Sequence, residues 1–128
     1  MIHKKLNIIV ADDEPLMRGL LSSFLTNDCN HAVIKTHDGK DALRQYKQQA
    51  SDIDMVFLDI EMPKMDGIET LIKIREINPA AYVVILSGAG YLENVKKAIA
   101  AGVNGFIVKP YCNSKVLEAI NNYKNSVN

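Results

Sequence analysis

The 128-residue sequence lacks several features that would place it in a special class of proteins. Its 15 basic and 15 acidic residues cancel, so no global field draws it to nucleic acid or to an anionic lipid surface. No apolar run approaches the ~18 residues that a membrane span needs. The first five residues have neither the apolar core nor the cleavage site of a signal peptide. These absences predict a cytoplasmic protein that binds neither a membrane nor nucleic acid directly.

Cysteine and histidine are too few and too scattered to predict a disulfide framework or a zinc site. Cys29 and Cys112 have no neighbouring ligand at metal spacing, and two thiols in a cytosolic chain are usually free. The histidines, His3, His31 and His37, form no ligand pattern. We therefore expect free thiols and no zinc.

The composition that remains is that of one globular domain over residues 1–128. Hydrophobic residues make up 48% of the sequence and charged residues 23%, and the length suffices for a full hydrophobic core. The sequence contains no repeat, linker or low-complexity segment.

Five short apolar runs alternate with five helical patterns along the chain. The runs predict strands at residues 6–11, 32–34, 53–58, 82–86 and 106–108. The first helix is expected to end at about Asn27, and the tail after about Lys124 is polar and expected to fray. The other helix limits are given by Asp38 and Asp66 as N-caps, by Asn78-Pro79 as a stop and by Gly102 as a C-cap.

The strands are apolar almost throughout, which is typical of strands that are covered on both faces. We therefore predict an α/β fold, (βα)5, with a parallel five-stranded sheet and helices on each side. The right-handed, flavodoxin-like strand order 2-1-3-4-5 is the natural topology.

Polar residues stand at the ends of four of the predicted strands. Asp12 and Asp13 follow the first strand, Asp59 the third, Ser87 the fourth and Lys109 the fifth. In a parallel sheet these ends lie on one edge, and the switch point between strands one and three places the three carboxylates side by side.

Carboxylates that lie this close raise one another's pKa unless a cation compensates them. Mg²⁺ is the natural compensation, because it prefers carboxylate, water and phosphate oxygens. Lys109 adds a positive charge and Ser87 a hydroxyl donor beside Asp59, around a place suited to an anion with several oxygens. The pattern therefore predicts phosphoryl transfer with Asp59 as the covalent acceptor.

Each residue taken singly also has an ordinary structural explanation. Asp12 and Asp13 could cap the first helix, Lys109 could be a solvated surface lysine, and Ser87 could be a turn residue. Asp59 is harder to explain in this way, because a carboxylate that ends an apolar strand is costly unless it is solvated, paired or metal-bound. Taken together, the structural explanation requires several coincidences.

The chain resembles the receiver domain of two-component response regulators over nearly its whole length. Five matching positions occur in the right order, each at a strand end. The matching motifs are Val10-Ala11-Asp12-Asp13-Glu14-Pro15, Leu58-Asp59-Ile60-Glu61-Met62-Pro63-Lys64-Met65-Asp66-Gly67, Leu86-Ser87-Gly88-Ala89 and Gly105-Phe106-Ile107-Val108-Lys109-Pro110.

The resemblance implies a phosphoacceptor and a magnesium site. Asp59 would take the phosphoryl group from a sensor histidine kinase or a histidine phosphotransfer protein. Asp13 would bind Mg²⁺ directly and Asp12 at least partly through water. Asp59 and the backbone carbonyl of Glu61 would complete the protein ligands. Such a domain is not an enzyme beyond promoting its own phosphorylation and dephosphorylation.

The resemblance also implies a switch. Lys109 would pair with one phosphoryl oxygen, Ser87 would move to bond another, and Phe106 would rotate inward. The Lys109–Pro110 bond would be cis. The surface of helix four, strand five and helix five would change, and a downstream protein or a second copy of the chain would dock there.

Three further details concern individual residues around the site. Position 106 is Phe rather than Tyr, so the rotating ring carries no hydroxyl. Glu61 and Ala89 occupy the positions that flank the path of the hydrolytic water. Gly88 and Gly90 on either side of Ala89 predict a loop that is unusually mobile without phosphate.

Two other functions are weighed against this one. A phosphohydrolase of the haloacid dehalogenase type carries its nucleophile in an Asp-x-Asp motif, whereas Asp12 and Asp13 are adjacent and no cap domain is present. A flavin carrier needs a phosphate-cradling loop after strand one, where Asp12-Asp13-Glu14-Pro15 would repel phosphate. The chain could be a stand-alone regulator, a relay intermediate or a fragment of a longer regulator.

Overall fold

The structure, a computed structural model, describes residues 4–88 and 92–127. Five parallel strands form one sheet, and each is followed by a helix. The strands are β1 (Asn7–Ala11), β2 (Ala32–Thr36), β3 (Met55–Asp59), β4 (Val83–Ser87) and β5 (Gly105–Val108). The helices are α1 (Pro15–Ser23), α2 (Gly39–Gln49), α3 (Gly67–Ile77), α4 (Leu92–Ala100) and α5 (Asn113–Ser126).

The sheet has the predicted order β2-β1-β3-β4-β5. β2 is added on one side of β1, and β3, β4 and β5 are added on the other side, so the topological switch point lies between β1 and β3. Ala11 of β1 is paired with Leu58 of β3, one residue before Asp59. Across the next pair Asp59 lies opposite Leu86, one residue before Ser87. This register brings the carboxyl ends of β1, β3 and β4 to one edge of the sheet, as the sequence predicts.

The sheet separates two hydrophobic cores. Ile9, Val56 and Leu58 point to one face, where α2, α3 and α4 pack, and their neighbours Ile8 and Phe57 point to the other, where α1 and α5 pack. This alternation is the period of two of a strand. Every residue of β3 and β4 is buried, which explains why these two runs are apolar without interruption.

The predicted helix caps are present. The Asp38 carboxylate accepts a hydrogen bond from the Asp41 amide at 2.7 Å, and the Asp66 carboxylate accepts one from the Glu69 amide at 2.8 Å. Gly102 follows α4 with φ 81°, the left-handed conformation that a C-terminal glycine supplies.

Several predicted limits are corrected by the structure. β2 continues to Thr36, and β3 and β4 include Asp59 and Ser87 as their last residues rather than ending before them. The first helix ends as an α-helix at Ser23 and continues as one π-helical turn over Phe24–Asp28. Helix α5 runs to Ser126, past the expected fraying point. Backbone pairing, which the side-chain pattern does not record, sets all these ends.

Within the described residues, no helix is both long enough and apolar enough to cross a bilayer. Cys29 and Cys112 are both free thiols, as predicted. The Lys109–Pro110 peptide bond is cis, as the family resemblance implies.

Candidate functional site

Three carboxylates meet at the carboxyl edge of the sheet. Asp12 and Asp13 follow β1, and Asp59 ends β3, so the pairing of β1 with β3 brings them together. One carboxylate oxygen from each lies within 4.8 Å of the others. Asp12 and Asp59 are only 1% and 6% exposed, whereas Asp13 is exposed to solvent. The predicted cluster is therefore present, with one member open to the outside.

Lys109, which follows β5, supplies a positive charge to this cluster. Its Nζ atom lies 3.0 Å from Asp12 Oδ2 and 3.3 Å from Asp59 Oδ2. Lys109 crosses over β4 to reach both carboxylates, because β4 lies between β3 and β5 in the sheet. Three ionised carboxylates and one ammonium group leave a net charge of about −2, which one divalent cation would balance.

Asp12 is held in place from several sides. Its Oδ1 atom accepts a hydrogen bond from the Glu14 amide at 3.0 Å, and its Oδ2 atom is bound by Lys109. Its backbone carbonyl accepts a hydrogen bond from Arg18 Nη1 at 2.8 Å, and its amide donates to the Thr36 carbonyl at 3.2 Å. The orientation of this carboxylate is therefore fixed before any ligand binds. Sequence reasoning did not identify Arg18, whose one signal is a cation one turn into the helix that follows the two acids.

Burial and charge make Asp59 a weaker acid than an ordinary aspartate. Burial raises its pKa most, Lys109 opposes this rise, and the charge of Asp12 adds to it, so the pKa increases from 3.8 to about 6. Burial alone would lower the pKa of Lys109, but its hydrogen bond to Asp12 and the charges of Asp59 and Asp12 raise it. At neutral pH Lys109 is therefore an ammonium group, and Asp59 is mostly ionised beside it.

Gly67, at the start of α3, lies directly against the backbone of Asp59. A Cβ atom at this position would lie 2.4 Å from the Asp59 carbonyl oxygen and 2.9 Å from Ile60 Cα, a distance that no side chain tolerates. The Gly67 amide donates to the Ile60 carbonyl at 2.9 Å. The absence of a side chain thus lets α3 pack against the end of β3. The sequence contains the Asp-Gly pair, but only the tertiary packing shows why glycine is required there.

The loop between β3 and α3 is held on its other side by the start of α2. A Cβ atom on Gly39 would lie 2.3 Å from the Met65 carbonyl oxygen, so α2 also makes close backbone contact with this loop. Lys64 adopts φ 69°, and its ammonium lies 3.7 Å from Asp38 Oδ2. The loop that carries Glu61 is therefore anchored to α2 as well as to β3.

Glu61 is exposed in this loop and borders an open groove of about 700 Å³ that Asp13 also lines. The role of the Glu61 backbone carbonyl as a metal ligand stays a prediction. The three carboxylates fit Mg²⁺, because it prefers oxygen ligands and the open groove beside Asp13 leaves space for water. A thiol or imidazole ligand is absent from the described cluster, which disfavours zinc.

The two residues predicted to act as a switch lie on the two strands that follow β3 in the sheet, Ser87 on β4 and Phe106 on β5. Ser87 is fully buried at the end of β4, and its carbonyl accepts a hydrogen bond from the Lys109 amide at 2.7 Å. Phe106 is half-buried in β5 and packs against the core on the side of α2, α3 and α4. Their movements stay predictions. Ala89 and Gly90, to which the sequence assigns a water path and a mobile loop, lie outside the described residues.

Comparison with known proteins identifies a family for this arrangement. Residues 8–121 match the family model of the response regulator receiver domain. The chain is 41% identical over 113 residues to the chemotaxis protein CheY of Treponema pallidum, covering 88% of this chain and 78% of that protein. It is 37% identical over 121 residues to CheY of Bacillus subtilis, covering 94% and 97% of the two chains.

Solved structures of similar proteins have the same fold. A receiver domain protein from Clostridium thermocellum is 31% identical, with a TM-score of 0.88 over 94% of this chain and 95% of that one. The CheX–CheY–BeF3–Mg²⁺ complex from Borrelia burgdorferi contains a chain that is 37% identical, with a TM-score of 0.83 over 90% and 86% of the two chains. The predicted fold class and strand order are thereby confirmed.

Proposed function

This chain belongs to the response regulator receiver domain family, whose members are phosphoacceptors in two-component signalling, and we propose that Asp59 is the residue that accepts the phosphoryl group. The observation that carries the proposal is the position of Asp59 at the carboxyl edge of the sheet, where the Lys109 ammonium lies between its carboxylate and the buried carboxylate of Asp12. The other candidate acceptors differ: Asp12 is already held by three hydrogen bonds and Lys109, and Asp13 is exposed.

In the proposed reaction, a carboxylate oxygen of Asp59 forms a bond to phosphorus while the bond from phosphorus to the donor's imidazole nitrogen breaks. The electron pair of that bond stays on the nitrogen, which is neutral in the departing histidine. The product is an acyl phosphate on Asp59. Because the transferred group keeps its negative oxygens throughout, the protein's task is to position the group and to stabilise its charge.

Lys109 is placed to stabilise that charge. Its ammonium lies 3.3 Å from the acceptor carboxylate and is held on its other side by Asp12. A fixed cation beside a developing anion needs no reorganisation when charge appears. Ser87 offers its hydroxyl from the end of β4, the neighbouring strand. We propose that these two side chains bind two different phosphoryl oxygens.

Receiver domains bind Mg²⁺ at an acidic pocket, and Asp12, Asp13 and Asp59 form an acidic cluster in this chain. We propose that these three residues and the Glu61 carbonyl hold the ion. When bound, Mg²⁺ would neutralise the excess negative charge that otherwise repels an anionic phosphodonor. Asp12, whose orientation is already fixed, would organise the site, and the exposed Asp13 would be the first to reach the ion.

Receiver domains act with histidine kinases and downstream targets, and we propose a histidine kinase or a phosphotransfer protein as the donor for this chain. One of the similar solved chains is CheY in complex with CheX, so a relative of this chain binds another protein. We propose that phosphorylation changes the surface of α4, β5 and α5 through Ser87 and Phe106, and that a protein partner or a second copy binds there. We propose the cytoplasm as the compartment.

We propose further that residues 1–128 act as one receiver domain with no substrate turnover of its own. A phosphohydrolase of the haloacid dehalogenase type, the alternative weighed on sequence grounds, is not supported. The family model that matches residues 8–121 is the receiver domain, and the relatives from Treponema pallidum and Bacillus subtilis are chemotaxis proteins.

The test is incubation with acetyl phosphate and Mg²⁺, followed by intact mass measurement. We expect one phosphoryl adduct that disappears when Mg²⁺ is removed and in Asp59→Asn. Asp52→Asn, an exposed acidic residue on the opposite edge of the sheet, is the matched control and should be labelled like the wild type. A full adduct on Asp59→Asn would contradict the assignment of the acceptor.

A further inference from the structure

Helix α4 is loosely attached to the rest of the described structure. Ala98 is its one buried residue, whereas Leu92 and Ile99 are 68% and 67% exposed. An element with so few buried apolar contacts lies at the low-stability end of a protein, where small movements cost little free energy. The polar contacts at its ends therefore decide how this helix can move.

The turn that follows α4 is bound by a side chain of helix α3. Arg75 lies in the last turns of α3 and is half-buried. One nitrogen of its guanidinium donates to the carbonyls of Pro79, at 3.2 Å, and Ala81. The other nitrogen donates to the Gly102 carbonyl and, at 2.8 Å, to Asn104 Oδ1. One planar group thus joins the segment that enters β4 to the turn that leaves α4.

Asn104 extends this connection into the sheet. The side-chain Oδ1 atom of Asn104 also accepts a hydrogen bond from the Val83 backbone amide at 2.8 Å, and the backbone amide of Asn104 donates to the Val83 carbonyl at 2.9 Å. Val83 is the first residue of β4, the strand that ends at Ser87. The turn after α4 is therefore fixed to the rigid, fully buried start of β4, and Arg75 completes that attachment.

We propose that Arg75 is a latch that fixes the C-terminal end of α4, so that a change at Ser87 moves the N-terminal end of the helix about a pivot at residues 101–104. The inference rests on the proposed function, in which phosphorylation changes the surface of α4, β5 and α5, and it states which end of α4 responds. Arginine suits the position because its planar fork binds acceptors on two sides at once. The single ammonium of lysine does not.

The latch is tested by amide hydrogen exchange of the whole chain, measured by mass spectrometry with and without Mg²⁺ and beryllofluoride. In the metal-free protein, Arg75→Met should raise the exchange rate of the amides at 101–104 about tenfold, because those amides close the turn that Arg75 holds. Lys73→Met, which removes an exposed cation from the same helix, should leave these rates at the wild-type values.

The response to beryllofluoride gives the second readout, which a purely structural role would not change. In the wild type we expect the difference to concentrate in residues 92–97 and to be small at 101–104. In Arg75→Met we expect it to extend through 101–104. Unchanged exchange at 101–104 in Arg75→Met, or a wild-type response as large at 101–104 as at 92–97, would overturn the proposal.

A pair of variants at Asn104 keeps the test decisive if Arg75→Met fails to fold. Asn104→Asp retains the acceptor for both Arg75 and the Val83 amide and should exchange like the wild type, whereas Asn104→Leu removes it from both and should exchange faster at 101–104. Equal rates in the two variants would overturn the latch. A wild type that does not respond to beryllofluoride anywhere would count against the proposed function, while the metal-free comparison would still decide the role of Arg75.

Discussion

Replacing Asp59 by Asn should stabilise the metal-free protein. Burial raises the pKa of Asp59 to about 6, which means that the folded state disfavours the ionised carboxylate. A rise from 3.8 to about 6 corresponds to about 3 kcal/mol for a fully enclosed group. Water and salt at the open side of the site reduce this cost, so we expect a gain in unfolding free energy of about 1–2 kcal/mol at pH 8.

The gain should depend on pH in a defined direction. A carboxylate with a raised folded-state pKa favours the fold fully below its unfolded pKa, and this contribution is lost as the pH rises through the folded value. For Asp59 the window runs from about pH 4 to just above pH 6. The difference between Asp59→Asn and the wild type should therefore be small at pH 4 and should reach its full size by pH 8. Titrating groups far from the site cancel in the difference.

Mg²⁺ should reverse the order of stabilities. A ligand that binds only the folded state stabilises it by about 2.7 kcal/mol at 100 times its dissociation constant. The wild type offers three carboxylates and Asp59→Asn only two, so the wild type should gain more. At saturating Mg²⁺ and pH 8, the wild type should be at least as stable as Asp59→Asn.

Urea unfolding followed by far-ultraviolet circular dichroism measures these differences, since the chain has no tryptophan to report by fluorescence. Asp52→Asn serves as the control, because it removes an exposed charge far from the site and should show no such pH dependence. The reasoning is refuted if Asp59→Asn is no more stable than the wild type at pH 8 without Mg²⁺, or if its advantage is the same at pH 4 and pH 8.

Three further changes test other parts of the structure. Lys109→Met leaves two buried carboxylates without their shared cation, so the free energy of unfolding in urea should fall by about 3 kcal/mol. The same variant should lose most of the acetyl phosphate adduct. An unchanged adduct level would contradict the role of Lys109. Gly67→Ala should lower the free energy of unfolding by about 1–3 kcal/mol and reduce the adduct, because the added Cβ would overlap a backbone carbonyl. Gly19→Ala, in open space on α1, is the control and should be neutral or stabilising. Equal effects of the two variants would contradict the packing argument. His31 accepts a hydrogen bond from the Leu6 amide, and its pKa is lowered by burial and by a nearby lysine. The free energy of unfolding should therefore fall as the pH drops below 6.5. In the same urea assay, His31→Gln should lose this pH dependence.

The fold was predictable because local and tertiary preferences agree in it. β3 and β4 are apolar throughout since both their faces are covered, and the carboxylates of Asp38 and Asp66 cap their helices as their positions indicate. Strand ends were less predictable. Asp59 and Ser87 are polar, and the apolar pattern therefore ends before them, although backbone pairing with the neighbouring strand includes both. The π-helical turn after α1 differs in hydrogen-bond spacing rather than in side-chain pattern.

The candidate site was predictable as a set of residues and not as a set of contacts. Strand order and strand ends are sufficient to bring Asp12, Asp13 and Asp59 together. The hydrogen bond from Arg18 to the Asp12 carbonyl and the close approach of Gly67 to β3 depend on how helices are seated, which no local spacing encodes. The movements assigned to Ser87 and Phe106 stay predictions.

The ion pair between Lys109 and Asp12 joins residues that are 97 positions apart in the chain. During synthesis the acidic residues leave the ribosome long before the lysine does, and until β5 is in place they lack their only built-in counter-charge within the described structure. A molecule in which β5 has not yet joined the sheet would thus hold two buried carboxylates without the ammonium group that balances them. The charge balance of the site is complete only when the last strand is in place.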